Sequence, residues 1–196
     1  MLRGPGKRIE LPVYSSNVPT AEDFVVLPMP LLKVTAKLGT LIGDLGAKWG
    51  LGGDAGEVVL GVNIKADHIE VVTTKEGCRA ISAKLGQYQT VPPNEAEKKL
   101  ERGAEFEGKS YPVFVKSEYA EFVIDQVRVE VYGDLQIKVG EWDWGDPLDF
   151  EPTEVIIMGS KFPVMPLRLK SELYMGLGWL DRVQAITEAV IRSHHH

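Results

Sequence analysis

Two segments decide how this chain folds: Leu51-Gly52-Gly53-Asp54-Ala55 and Asp67-His68-Ile69-Glu70-Val71-Val72. The second segment is rich in β-branched residues, which favours a central strand over residues 69–74. Side chains two residues apart on a strand project from the same face of the sheet. His68 and Glu70 can therefore face one ion while Ile69 packs inward, with Asp67 immediately before them.

The glycine pair lies between a predicted strand at 48–51 and a predicted short helix at 54–60. Because they have no side chains, Gly52 and Gly53 allow backbone N–H groups to approach a phosphate, and the helix N-terminus adds partial positive charge. The alternative interpretation is a tight strand-to-helix turn that requires a positive φ. Lys65, in the loop before the second strand, is either a phosphate contact or a solvated lysine.

A third acidic ligand is predicted on a later strand. Residues 126–139 alternate valine with polar residues, so Glu130 lies on the face opposite the valines, with Asp134 as the alternative on the same face. Phosphoryl and nucleotidyl transfer need divalent cations that are held by oxygen ligands, and carboxylates on neighbouring strands meet that need. The predicted metal ligands are His68, Glu70 and Glu130, and the predicted catalytic carboxylates are Glu70, Glu130 and Asp67.

Composition and charge restrict the class of protein. Of the 196 residues, 44% are hydrophobic and 26% are charged, which is close to ordinary globular usage. The formal net charge of -6 and the pI near 5.3 argue against broad affinity for nucleic acid or anionic membranes. Cys78 is the only cysteine, which excludes an intrachain disulfide and a cysteine-based zinc cluster. A single cysteine suits a reducing cytosol, and residues 1–6 lack the apolar core of a signal peptide, so we expect a cytoplasmic protein. The apolar stretches are too short to span a bilayer, so no membrane partner is expected.

The chain is predicted to form one folded domain. Residues 1–29 carry several glycines and prolines without clean periodicity, which indicates an extended lead-in. Residues 30–193 form the domain, and the three histidines at 194–196 are typical of a purification tag. His68 is the only other histidine in the sequence.

Periodicity and capping patterns predict an α+β fold. A mixed, largely antiparallel sheet is expected to be flanked by helices, and a pair of helices is expected at the C-terminus. A capping box at Thr73 and Glu76 predicts one helix, and a second box at Asn94 and Glu97 predicts a short charged helix. The predicted helices cover 30–47, 54–60, 74–86, 94–102, 166–175 and 180–190, and the predicted strands lie at 48–51, 69–74, within 111–139 and at 155–158.

The segments 51–55, 60–61 and 67–70 resemble the nucleotidyltransferase fold of the polymerase-beta-like superfamily, especially its small prokaryotic members. In that family a Gly-Gly or Gly-Ser turn and a short helix lead to an Asp-x-Asp strand, and a third carboxylate lies on an adjacent strand. The likeness extends to a helical tail at 163–182. The resemblance implies transfer of a nucleoside monophosphate from a nucleoside triphosphate (NTP) to an acceptor, with Gly52 and Gly53 at the triphosphate.

The chain departs from the family pattern at His68, which stands where the first aspartate belongs unless Asp67 takes that role through a local shift at the start of the strand. Mg²⁺ prefers hard oxygen ligands, whereas imidazole suits Mn²⁺, Zn²⁺ and other transition ions. One hypothesis is an active nucleotidyltransferase that uses Mg²⁺ or Mn²⁺, with Zn²⁺ as an alternative, and transfers to RNA, protein or a small molecule. A second is an inactive binding or assembly module that forms homo-oligomers. A third is an unrelated metal-dependent hydrolase.

Overall fold

A seven-stranded mixed sheet forms the centre of the computed structural model, which describes residues 27–193. Of the expected lead-in at 1–29, residues 1–26 lie outside the described residues, as does the tag remnant at 194–196, and Met29 is the first residue of a helix. The helices are α1 (Met29–Ile42), α2 (Gly53–Val59), α3 (Lys75–Lys84), α4 (Leu167–Gly176) and α5 (Leu180–Ser193). The strands are β1 (Trp49–Leu51), β2 (Ile69–Thr73), β3 (Gln89–Lys99), β4 (Ala104–Phe106), β5 (Lys109–Tyr111), β6 (Val113–Ile124), β7 (Val127–Val139), β8 (Thr153–Ile157) and β9 (Ser160–Val164).

The strand order places the two chemistry-bearing strands side by side. The sheet runs β3-β6-β7-β2-β1-β9-β8, and β4 and β5 form a separate hairpin. β2 pairs with β7 in parallel, as does β1 with β9, and the remaining pairs are antiparallel. Strands β2 and β7 are therefore direct neighbours although more than fifty residues of chain separate them.

The main core fills one face of the sheet. Helices α1 and α3 pack there against the inward residues of β6 and β7, among them Phe122, Val129 and Val131. Leu38 and Ile42 of α1 are fully buried, and each such side chain stabilises the fold by about 1.5–3 kcal/mol. By the alternation of strand side chains, residue 130 faces the side opposite this core.

The C-terminal helices form a second, smaller core with the segment after α2. Val62 packs there with Leu167 of α4 and with Ile186 and Ala189 of α5. The expected helical pair and the expected α+β class with a largely antiparallel sheet are thereby confirmed. Among the described residues, none of the helices combines the length and the apolar character that a membrane crossing requires.

The helix expected at 94–102 is wrong, because the segment belongs to β3. Asn94 and Glu97 pair with Tyr119 and Lys116 across an antiparallel ladder, so pairing with β6 overrides the capping pattern. The segment lacks the apolar stripe that would stabilise a helix by packing. Two prolines stand in the same strand where its register shifts, a position at which a lost ladder hydrogen bond is tolerated.

Three smaller expectations are also corrected. Helix α1 ends at Ile42 rather than at residue 47, since the glycines that follow leave the helix and Gly46 adopts φ +64. The N-cap of α3 is Thr74 rather than Thr73, and its hydroxyl accepts a hydrogen bond from the Gly77 N–H. Strand β9 was not expected, because Pro163 within it reads as a strand breaker.

Candidate functional site

The glycine turn follows β1 and begins α2. The Gly52 N–H donates to the Glu70 carbonyl at 2.8 Å, and Gly53 adopts φ +50, the left-handed region that favours glycine. A Cβ on Gly53 would lie 2.4 Å from the Glu70 Cδ, and one on Gly52 would lie 2.8 Å from a Val72 methyl. A Cβ at Gly52 would therefore overlap Val72, and one at Gly53 would displace the Glu70 carboxylate, which lies directly against Gly53.

Three of the predicted ligands converge beside this turn. Glu70 and Glu130 are register partners in the parallel β2–β7 pair, and His68 immediately precedes β2. The His68 Nε2 lies 3.0 Å from Glu70 Oε1 and 3.5 Å from Glu130 Oε2. One donor atom from each residue lies within 4.8 Å of the other two. Two carboxylates and one imidazole thus share a volume that suits a single ion.

Charge interactions within the group hold His68 as an imidazolium when no ion is bound. Contacts with Glu130 and then Glu70 raise the pKa of His68 to about 10, although burial acts in the opposite direction. Burial alone would raise the pKa of Glu130, but hydrogen bonds from His68 and Tyr132 outweigh it and lower the pKa to about 2. The imidazolium therefore occupies the place of a cation between the two carboxylates.

Asp67 lies behind the imidazole rather than among the three ligands. Its carboxylate contacts the His68 Nδ1 and is 90% exposed, and the hydrogen bond from His68 lowers the Asp67 pKa. A carboxylate on one ring nitrogen fixes the orientation of a histidine whose other nitrogen faces a metal. The geometry thus directs the His68 Nε2 to the shared volume and places Asp67 in a supporting position.

Two tyrosines fix the Glu130 carboxylate, which is 3% exposed. The Tyr132 hydroxyl donates to Glu130 Oε2 at 2.5 Å, whereas the Tyr119 hydroxyl is shared between Glu121 Oε2 at 2.9 Å and Glu130 Oε1 at 3.2 Å. Burial and the neighbouring carboxylates raise the pKa of both phenols, so both remain donors. Tyr132 stands two residues after Glu130, which is a signal that sequence reasoning could have used. Tyr119 reaches the site only through the register of β6 against β7.

The donor set fits a transition ion better than Mg²⁺. Two carboxylates supply hard oxygens, and the His68 imidazole is a ligand that Mn²⁺ and Zn²⁺ accept. Because the imidazole must be neutral to bind a metal, binding would release the proton that His68 carries. His68, Glu70 and Glu130 are the residues that could hold the ion.

A buried polar network supports the turn from the side of the C-terminal helices. The Lys170 ammonium, which is 3% exposed, donates to the Gly53 carbonyl and to Glu57 Oε1, the latter at 3.2 Å. The Arg182 guanidinium donates to Glu57 Oε2 at 2.8 Å and to Asp54 Oδ1 at 2.6 Å. Burial lowers the Lys170 pKa, while Glu57 opposes that shift. Sequence analysis missed this network, since Glu57 is 113 residues from Lys170 and 125 residues from Arg182.

Two other candidates lie away from the acidic group. Lys65 is exposed, and among residues 27–193 it makes no hydrogen bond or ion pair with the turn or the ligands. Lys170 is the lysine that contacts the glycine turn. Asp134 adopts φ +50 where the β6–β7 register shifts, and it does not join the three ligands.

Comparison with solved structures supports a nucleotidyltransferase fold. No family model and no curated protein matches the sequence. A crystal structure of a candidate nucleotidyltransferase from Thermotoga maritima matches with a TM-score of 0.63 at 20% identity, covering 83% of this chain and 94% of that one. ANT(2″)-Ia in complex with adenylyl-2″-tobramycin matches with a TM-score of 0.42 at 9% identity, covering 83% and 86%. The expected nucleotidyltransferase fold is confirmed.

Proposed function

We propose that this protein is a metal-dependent nucleotidyltransferase that transfers a nucleoside monophosphate from an NTP to a hydroxyl-bearing acceptor. The observation that carries the proposal is the convergence of Glu70, Glu130 and His68 beside the Gly52-Gly53 turn. The confirmed fold supports it, because a glycine turn and acidic residues on adjacent strands are the parts that this fold uses. The single cysteine, Cys78, is buried and suits the reducing cytoplasm that the sequence predicts.

The glycine turn would bind the triphosphate. The first N–H groups of α2, from Gly53 onward, have no acceptor within the helix, because Gly56 is the first residue whose N–H bonds back to Gly52. The Glu70 carboxylate lies directly against Gly53, so a cation held by this carboxylate would lie close to a triphosphate at the turn. Lys170 holds the Gly53 carbonyl from behind, so the orientation of this peptide is fixed before a ligand arrives.

Glu130 would orient the acceptor. Its carboxylate stays ionised and is fixed by Tyr119 and Tyr132, so it can accept a hydrogen bond from the attacking hydroxyl. The acceptor oxygen forms a bond to the α-phosphorus, the bond to the bridging oxygen breaks, and pyrophosphate leaves while the hydroxyl proton passes to solvent. A divalent cation held by His68, Glu70 and Glu130 would neutralise the triphosphate charge and acidify the hydroxyl.

Label transfer tests this function. Purified protein is incubated with each α-³²P-labelled NTP, with Mn²⁺ or Mg²⁺, and with RNA, protein or small-molecule fractions as acceptors. We expect labelled product with the native chain and with the control Glu97→Gln, which changes an exposed carboxylate of β3, and none with Glu130→Gln. Phosphate release without labelled acceptor would indicate the hydrolase alternative, and no turnover with any combination would contradict the proposal.

A second candidate function is an inactive binding or assembly module. The specific observation in its favour is that the His68 imidazolium already lies between Glu70 and Glu130, where a metal ion would be held. Exposed apolar side chains on α5, Leu180 at 64% and Ile191 at 51%, offer a surface for self-association. This candidate predicts a stable homo-oligomer that binds neither Mn²⁺ nor nucleotide, which light scattering and calorimetry distinguish from the transferase.

A further inference from the structure

A hollow of about 170 Å³ opens on the same face of the sheet as Glu130. Its walls come from β3, β6 and β7 and are largely apolar: Ala96, Lys98, Val115, Ser117, Tyr119 and Tyr132. The rings of Tyr119 and Tyr132 lie 5.4 Å apart at 58° and form one end. Lys98 supplies the one ammonium group among these lining residues.

The hollow adjoins the reaction centre through its own walls. Tyr119 and Tyr132 line it, and their hydroxyls are the groups that donate to Glu130. A molecule that rests against the two rings therefore lies beside the buried carboxylate. The open side of the hollow allows such a molecule to enter from solvent.

The strand order separates this hollow from the glycine turn. From β1 towards the β3 edge, the sheet presents first the glycine turn after β1, then Glu70 on β2 and Glu130 on β7. The hollow follows on β6 and β3. A triphosphate at the turn would thus approach the two carboxylates from one side. The hollow lies on the other side, so a second reactant held there would leave the turn free for the triphosphate.

We propose that the hollow binds the acceptor, and that the acceptor is a small hydroxylated compound with one ring-sized apolar group and one anionic group. The assignment deepens the proposed transferase function and rests on it. A cavity of about 150 Å³ accepts one benzene ring, so the volume suits a single ring. The tyrosine rings provide aromatic contacts for it. Lys98 makes no ion pair with another residue in the described part of the chain, so its ammonium can meet an anion.

Binding of three matched phenols tests the assignment without nucleotide or metal. 4-Hydroxyphenylacetate, tyrosol and tyramine share the ring and differ in charge, being anionic, neutral and cationic. Each is titrated into the ¹⁵N-labelled full chain while amide shifts are followed. We expect shifts centred on Ala96, Ser117 and Tyr119, with the anion binding about two- to fivefold more tightly than tyrosol and tyramine binding most weakly. Equal affinities, or shifts scattered over the surface, overturn the assignment.

Variants locate the two recognition elements. Lys98→Gln should remove the preference for the anion, whereas Lys99→Gln, whose side chain alternates to the opposite face, should keep it. Ala96→Phe, on the strand position paired with Ser117, should fill the hollow and reduce the affinity for all three probes at least about tenfold. A native amide spectrum confirms that each variant is folded, and unchanged binding by a folded Ala96→Phe contradicts the proposal. These binding experiments measure no turnover. If the phenols do not bind in the hollow, the protein can still transfer label to a different acceptor, so the acceptor assignment and the transferase function are tested independently.

Discussion

Glu70 and Glu130 are direct register partners across the parallel β2–β7 pair, so two carboxylates meet on one face of the sheet. Two carboxylates in contact repel each other unless a cation or a proton lies between them. In the metal-free protein the His68 imidazolium lies between them, and the Arg128 guanidinium lies 3.7 Å from Glu130 Oε1. His68, Glu70 and Glu130 could hold a cation in place of the proton on His68.

Mn²⁺ together with an NTP should stabilise the native chain. Ligands that bind only the folded state at about 100 times their Kd add about 2.7 kcal/mol, which corresponds to a Tm increase of about 5–10 °C for a chain of this size. Glu70→Gln removes one carboxylate ligand and should abolish the increase. Differential scanning fluorimetry measures it, with Glu97→Gln as a control that keeps the full increase. An equal increase in Glu70→Gln would show that the ligands bind elsewhere.

The affinity for Mn²⁺ should rise with pH, since the ion competes with the proton on His68. The folded pKa of about 10 lies above the ordinary value of 6.5, so the imidazolium adds full stability below about pH 6.5 and loses it as the pH rises through about 10. Between about pH 7 and about pH 9, the association constant should increase about tenfold per pH unit. Calorimetric titration of the metal-free protein at several pH values measures the slope. A flat profile would mean that His68 is not a ligand.

His68→Asp is the matched variant for that experiment. It replaces the titrating imidazole by a third carboxylate, so the pH slope in the same range should fall close to zero. Because Mg²⁺ prefers oxygen ligands, the variant should bind Mg²⁺ more tightly than the native chain does, while its preference for Mn²⁺ over Mg²⁺ decreases. A variant that binds neither ion at any pH would instead indicate that the pocket needs the imidazole for its structure.

Gly53→Ala should destabilise the protein and block the metal site, whereas Gly46→Ala should only destabilise it. Both positions have a positive φ, which costs a residue with a Cβ about 1–2 kcal/mol. A Cβ at Gly46 meets nothing within 4 Å, but a Cβ at Gly53 overlaps the Glu70 carboxylate. Urea unfolding of the two variants measures the cost of backbone strain, and Mn²⁺ titration measures whether the metal site is retained. Equal Mn²⁺ affinity in both would contradict the close contact of Gly53 with Glu70.

Lys170→Met should cost about 3 kcal/mol of unfolding free energy, because it leaves Glu57 with less compensation in a buried position. It should also weaken nucleotide binding, since Lys170 holds the Gly53 carbonyl. Lys65→Met changes an exposed lysine in the loop before β2 and should alter the unfolding free energy by less than about 0.5 kcal/mol. Urea unfolding compares the two variants. A similar loss of unfolding free energy in both variants would contradict the stabilising role of the buried Lys170–Glu57 pair.

Local patterns in the sequence predict the parts of the site that lie close together along the chain. The spacing of His68 and Glu70 and the valine alternation around Glu130 suffice to predict three ligands on one face. Their convergence additionally requires β2 to pair in parallel with β7 in the observed register, which no local pattern encodes. The proposed enzymatic role of the three ligands stays a prediction.

The ion pairs of Glu57 could not be predicted either, because no local pattern encodes contacts between distant parts of the chain. Glu57 is an acidic residue on a short helix, and nothing near it in sequence indicates that Lys170 and Arg182 bury it. The helix expected at 94–102 shows the reverse error, since a local capping pattern is overridden by pairing along eleven residues of β3. Tertiary contacts decide such segments, because the intrinsic preferences involved are weak.

The contact between Gly53 and Glu70 makes these two positions a coupled pair in evolution. A side chain at position 53 would have to displace the Glu70 carboxylate from the space beneath the bend. A lineage that acquires serine at position 53 would need aspartate at position 70 in the same or a neighbouring step. Homologous sequences with serine at position 53 should therefore also have aspartate at position 70. A homologue with only one of the two exchanges should have lost the metal site.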